Sequence, residues 1–375
     1  MKYLSVVLGI SFLTTIELFQ DIHRSLLDLQ QPADENFQSI QRKTLSSDST
    51  QRVLLFVGPH KTGSSSIQTN LHAWIRGNRP GFEDWAWPIP PVLRDRKDFK
   101  DTYSKAFYVY SSSLRKRTCK TDKRMRGLGV NCNELKLLFR NEFVRYWRDG
   151  KSLVIASEGL DFVGHLDGNG KRIHVDTILG EMPWNFGTNG SKDDITVVIN
   201  YRAPRREHLI STWHQCCMED MSFSEYAASK DRSGYKSVDS LHLADKFLEA
   251  GVKVKLVDMA GVAGNSYDLS NVVACDILGV PCHSNKTLLG DSVHPKISNV
   301  KSGMGDMGST TDEQLDMIEK VIRRRDCSFL HLQGHPNLEI MYGADLIKVW
   351  DDCSLLGDTG ISRKDMIREI NSIMK

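Results

Sequence analysis

The stretch Phe56–Gln68 reads FVGPHKTGSSSIQ, and its residue types suit an anion. Gly58 and Gly63 have the separation of the two glycines in a G-x-x-x-x-G-K-[ST] phosphate loop. Glycines there let the chain turn tightly and bring successive backbone N–H groups close to a ligand. Ser64, Ser65 and Ser66 add hydroxyl donors where a following helix would turn its positive end. The lysine, however, is not in the ATP position. Ser64 follows the second glycine, and Lys61 sits inside the loop between His60 and Thr62. In ATP chemistry the lysine past the second glycine reaches the β- and γ-phosphates. A lysine within the loop would instead lie over a single 5′-phosphate and the group attached to it. The plain alternative is a strand-to-helix turn rich in serine.

A second stretch, Val197–Trp213, reads VVINYRAPRREHLISTW. Arg202 follows an apolar run, and Pro204 opens a segment whose Leu209, Ile210, Trp213, Cys216 and Cys217 give a helix one apolar face. A planar guanidinium with a helix-borne hydroxyl, here Arg202 and Ser211, suits a terminal phosphate dianion. A solvated basic helix start is the alternative. A third stretch, SLVIASEG at Ser152–Gly159, ends an apolar run with Glu158. A carboxylate there can serve as general base if partial burial brings its pKa toward the operating pH. Its competing explanation is a helix-initiating or salt-bridged carboxylate. His60, His208 and His214 are the other candidate bases.

These residues need a scaffold. Arg52–Val57, Ser152–Ala156, Ile195–Tyr201 and Val252–Met259 read as strands, bounded by turn or helical segments. Helical spacing covers Asn133–Arg148, Pro204–Met218 and Val238–Ala250, and Ile67, Leu71, Trp74 and Ile75 continue the glycine loop as a helix. Further helices are expected around Tyr267–Leu278 and at TTDEQLDMIEKVI, which opens with a capping signature. This alternation predicts an α/β chain of P-loop-like, three-layer type, with a mostly parallel central sheet flanked by helices. Ligands of such sheets bind at the C-terminal strand ends, where all three stretches would lie.

GPHKTGSSSIQ resembles the 5′-phosphosulfate loop of sulfotransferases that use 3′-phosphoadenosine 5′-phosphosulfate (PAPS), a K-[ST]-G-[ST]-[ST] core after the first strand. VVINYRAPRREHLISTW resembles the same family's 3′-phosphate motif, with one departure. The family usually places the serine eight residues after the arginine, whereas Ser211 is nine after Arg202. The G-x-x-G-x-x-K closing motif of the cytosolic members is missing, while HPKISNVKSGMG (His294–Gly305) resembles the late loop of Golgi carbohydrate sulfotransferases. The resemblance implies sulfonate transfer from PAPS to a hydroxyl, without a metal. Lys61 would stabilise the bridging oxygen, and Lys61, Thr62, Gly63, Ser64, Ser65, Ser66, Arg202 and Ser211 would bind the nucleotide. Glu158, or His60, would take the acceptor proton. A P-loop small-molecule kinase and a non-catalytic nucleotide-binding protein of the same fold remain as alternatives, as does a tyrosine acceptor.

The rest of the chain bears on location and acceptor. Lys2 precedes the apolar run Tyr3–Ile16, which is short for a spanning helix and ends at Glu17. Residues 1–19 read as a signal anchor or a signal peptide, with a buried N-terminal helix as the competing explanation. Residues 20–51 read as a polar stem, and 52–375 as the sulfotransferase domain. Eight cysteines without a C-x-x-C pair speak for disulfides over zinc. With sequons at Asn189 and Asn285, these cues fit a Golgi membrane protein with a lumenal catalytic domain, or a secreted one if the N-terminal segment is cleaved. A net charge of +2 gives no ground for a nucleic-acid partner. The acceptor is expected to be a glycan or glycoprotein. Arg115–Arg126, with seven basic residues and one acid, would suit an anionic glycan or simply a solvated loop. Trp85–Pro91, WAWPIPP, would offer rings to a sugar or to the core.

Overall fold

Val53, Leu54, Leu55 and Phe56 form β1 (Val53–Phe56), and none of the four has a polar or exposed side. Such a strand can only lie inside a sheet covered on both faces. In the computed structural model β1 is central, paired in parallel with β3 (Ser152–Ala156) on one side and β4 (Ile195–Tyr201) on the other. β5 (Lys253–Asp258) and β6 (Leu338–Met341) continue the sheet beyond β4, and β2 (Trp85–Ala86) lies outside β3. The order is β2-β3-β1-β4-β5-β6, and every pairing is parallel. The sheet is therefore wholly parallel among the described residues, where the sequence predicted a mostly parallel one. The structure describes residues 51–58, 64–94, 106–114, 131–157, 159–160, 174–216, 221–228, 239–265, 267–283, 288 and 310–374.

Helices flank the sheet. α1 (Ser64–Arg76) follows β1, and α2 (Ala106–Leu114) packs on α3 (Cys132–Arg148), which leads into β3. Asn131 starts α3 with a capping box: its side chain accepts from the Asn133 and Glu134 amides, and Glu134 accepts from the Asn131 amide. α4 (Arg205–Cys216) follows β4, then α5 (Phe223–Ala228) and α6 (Ser240–Glu249), which covers β4 and β5. α7 (Met259–Gly264) lies so close to the exit of β6 that a Cβ at Gly261 would stand 1.8 Å from the Tyr342 carbonyl oxygen. Only glycine fits there. α8 (Asp312–Cys327), α9 (Ala344–Leu356) and α10 (Arg363–Ile373) follow toward the C-terminus.

Two cores result. The larger is built on the sheet and takes side chains from all its inner strands, with Ile67 and Leu71 of α1, Phe139 and Phe143 of α3, and Leu346 and Trp350 of α9. The second is wholly helical, formed by Leu209, Ile210 and Trp213 of α4, Phe223 and Tyr226 of α5, Leu315, Ile318 and Ile322 of α8, and Met366 and Ile370 of α10. Disulfides join Cys275 to Cys282 and Cys327 to Cys353, the second tying the end of α8 to α9. No helix among the described residues is long and apolar enough to cross a membrane, and the run Tyr3–Ile16 lies outside them.

Candidate functional site

Because β3, β1 and β4 are adjacent and parallel, the three stretches singled out in the sequence leave one edge of the sheet. Phe56 lies opposite Ala156 on one side and Val198 on the other. Pairing continues past the strands: the Val57 amide donates to the Val198 carbonyl at 2.9 Å, and the Ser157 amide to the Phe56 carbonyl at 3.1 Å. Gly58 therefore leaves from a position fixed on both sides. Six residues later the chain is helical, since α1 opens at Ser64. The strand and the helix that a phosphate loop requires both flank this segment. Ser66 lies half-buried in the first turn of α1. His60, Lys61, Thr62, Gly63 and Glu158 lie outside the described residues, as do the side chains of Ser64 and Ser65.

Arg202 stands just past the end of β4 and is half-buried. Burial pulls its pKa below the ordinary arginine value, and Glu207 offsets part of that. A guanidinium partly stripped of water gains more from an anionic neighbour than a solvated one does. On α4, Ile210, eight residues after Arg202, is buried in the helical core, while Ser211 is half-buried. His208 has no exposed surface, and His214 packs against the Trp213 ring with centroids 4.7 Å apart. Both histidines thus belong to the packing of α4.

Next to Arg202 lies a buried polar cluster that the sequence did not reveal. Arg205 and Asp326 are each 1% exposed, with Arg205 Nε 3.3 Å from Asp326 Oδ2. The Tyr201 hydroxyl donates to the same Oδ2 at 2.9 Å, and the Arg205 guanidinium lies 4.6 Å over the Tyr201 ring. Arg205 Nη1 also donates to the Arg202 carbonyl at 3.4 Å. Burial works against the Arg205 cation, but Asp326, Tyr201 and Asp239 outweigh it and raise its pKa. Burial also lifts the Asp326 carboxyl to about 6, against the pull of Arg205 and the Tyr201 hydrogen bond. A guanidinium stays charged throughout, so Asp326 is the member of the pair that titrates. One residue on, the Arg206 amide donates to Glu319 Oε2 of α8 at 2.6 Å, and Arg206 pairs with Asp316 at the surface. Beyond this lies Asp239, which accepts from Arg325 at 3.3 Å.

The acceptor candidates divide. Trp85 and Trp87 are buried, Trp85 under Arg52 and Trp87 against Phe107, so these rings serve the core and not a sugar. Arg115–Arg126 and His294–Gly305 lie outside the described residues. Among the described residues no group of three or more His, Cys, Asp or Glu side chains is arranged to hold a metal. Comparison of the chain with family models, with curated proteins and with solved structures finds no match.

Proposed function

We propose that this protein is a PAPS-dependent sulfotransferase acting on a hydroxyl of a carbohydrate acceptor. The observation that carries the proposal is the strand order β3-β1-β4. It brings the chain leading to Glu158, the strand leading to Gly58, and Arg202 to one edge of a parallel sheet, although they are about 45 to 145 residues apart in sequence. The position of Lys61 inside the loop favours a single 5′-phosphate over the polyphosphate of ATP. The disulfides Cys275–Cys282 and Cys327–Cys353 support an oxidising, lumenal setting.

In the proposed reaction the acceptor oxygen attacks the sulfur of the donor, and the bond from sulfur to the 5′-phosphate oxygen breaks. The acceptor proton passes to Glu158, with His60 as the competing base. Lys61 offsets the charge gathering on the departing phosphate oxygen. Arg202, with Ser211, holds the 3′-phosphate away from the reacting atoms. Their work is binding, and that of Lys61 is turnover.

Calorimetry on the purified protein without magnesium tests this. Adenosine 3′,5′-bisphosphate should bind more tightly than AMP or ATP. Arg202→Ala should lose about 1.5–3 kcal/mol of that affinity, the worth of a charged hydrogen bond. Equal affinity for AMP and the bisphosphate would remove the 3′-phosphate site. Tight binding of magnesium-ATP alone would replace the proposal with a kinase. A labelled sulfonate-transfer assay against glycans and tyrosine peptides then identifies the acceptor class.

A further inference from the structure

α4 follows Pro204, whose ring carries no acceptor for the orphan N–H groups of a first helical turn, and the Arg206 amide finds its acceptor in a distant part of the chain. Glu319 and Asp326 are seven residues apart on α8, a spacing that puts both on one helical face. Both meet α4 at its first turn. Glu319 accepts the Arg206 amide at 2.6 Å, and Asp326 pairs with Arg205, whose guanidinium reaches the Arg202 carbonyl. The backbone that carries Arg202 is thus held from α8, more than a hundred residues away in sequence.

We infer that Glu319 is a positioning residue for Arg202 and thereby for discrimination of the nucleotide's 3′-phosphate, which rests on the nucleotide reading proposed above. Glu319 touches no part of the ligand in this inference. Its carboxylate fixes where α4 starts, and the start of α4 fixes the turn from which the Arg202 guanidinium projects. Asp326 acts on the same turn through Arg205. A guanidinium displaced by an ångström loses the directed hydrogen bonds a phosphate needs while keeping its charge.

The test compares two probes that differ only in the 3′-phosphate. Adenosine 3′,5′-bisphosphate and AMP are titrated by calorimetry into wild type, Arg202→Ala, Glu319→Ala and Glu319→Gln. Glu319→Ala should weaken the bisphosphate about tenfold, the worth of one such hydrogen bond, and leave AMP unchanged. Glu319→Gln keeps an acceptor for the Arg206 amide and should recover most of the loss. A merely structural role would weaken both ligands together, and that parallel loss overturns the inference. It is equally overturned if Glu319→Ala discriminates as well as wild type while Arg202→Ala does not. In that case the 3′-phosphate site itself stands. If wild type shows no preference between the probes, the nucleotide reading fails first and the role of Glu319 fails with it. Should Glu319→Ala not fold, Tyr201→Phe loosens the same turn by removing one hydroxyl from Asp326, and the same ratio of affinities decides.

Discussion

The sheet core and the helical core are built by opposite means. In the sheet core, β1, β3 and β4 are apolar almost without interruption, and each strand is specified by its own residues. In the helical core, four amphipathic helices drawn from residues 205 to 373 bury one stripe each. None of those stripes is complete until the others arrive. Between the two cores runs a polar seam, where Tyr201 and Arg205 meet Asp326. The comparison teaches how the candidate segments are held. The sheet fixes which segments share an edge, while the seam fixes how α4, and with it Arg202, is presented at that edge.

The sharpest way to break this picture is to break the seam. Asp326→Ala leaves Arg205 buried without its carboxylate, and removal of one member of a buried pair costs about 3–5 kcal/mol. Denaturant unfolding should show that loss, and Arg205→Met combined with Asp326→Leu should recover most of it. A loss under about 1 kcal/mol for Asp326→Ala would mean that the two cores are joined by packing alone.

A second buried acid sharpens the contrast. Asp258 ends β5 on the sheet side, where burial lifts its carboxyl from the ordinary 3.8 to about 6. The Ala260 amide, which its side chain caps, works against the rise, and Asp345 adds to it. Where Arg205 is the main charge facing Asp326, the main influences on Asp258 after burial are backbone amides and Asp345. A raised carboxyl means that the folded chain holds the proton more tightly than the unfolded one. Its effect on stability is therefore neutral below about pH 4, grows unfavourable between about 4 and 6, and is full above that, reaching about 3 kcal/mol at most. Asp258→Asn keeps the cap acceptor, so it should raise stability at pH 7.5 and leave it unchanged at pH 4. Equal melting temperatures of the two proteins across that range would show the carboxylate to be solvated after all.

The smallest effect separates the seam from the helix that supplies it. Thr311 caps α8 with a reciprocal pair of hydrogen bonds to Gln314. Thr311→Ala should cost about 1 kcal/mol, read as a lower melting temperature. It lies at the far end of α8 from Asp326, so the ratio of bisphosphate to AMP affinity should not move. A changed ratio would spread the role assigned to Glu319 over the whole helix.

The two regions were not equally legible in the sequence. β3 and β4 occupy the residues that their apolar runs predict, and β1 and β5 differ by a residue at each end, because burial on both faces leaves no other reading. β2 is two residues long, and β6 is a half-exposed edge strand whose LEIM carries no clear period. Neither gave a signal. α8 was visible from its capping box. α10 carries a comparable sign in Ser362, whose side chain accepts from the Asp365 amide. The glycine loop and Arg202 stood out because their residue types are unusual after strands. Arg205 and Asp326 did not, since a buried ion pair between residues 121 apart leaves no local pattern at either end.

The strand order also dictates when the chain can fold. β1 is made first, yet its neighbours are Leu153 and its successors on one side and Ile195 and its successors on the other. During synthesis at about 5–20 residues per second, Val53 waits roughly 7–30 s before the end of β4 has been made. For that interval the most apolar strand of the sheet has no partner, and exposed, uncharged, hydrophobic backbone is what other chains pair with. The same centrality that aligns the three candidate segments thus leaves the nascent protein in need of shielding until its middle third has been synthesised.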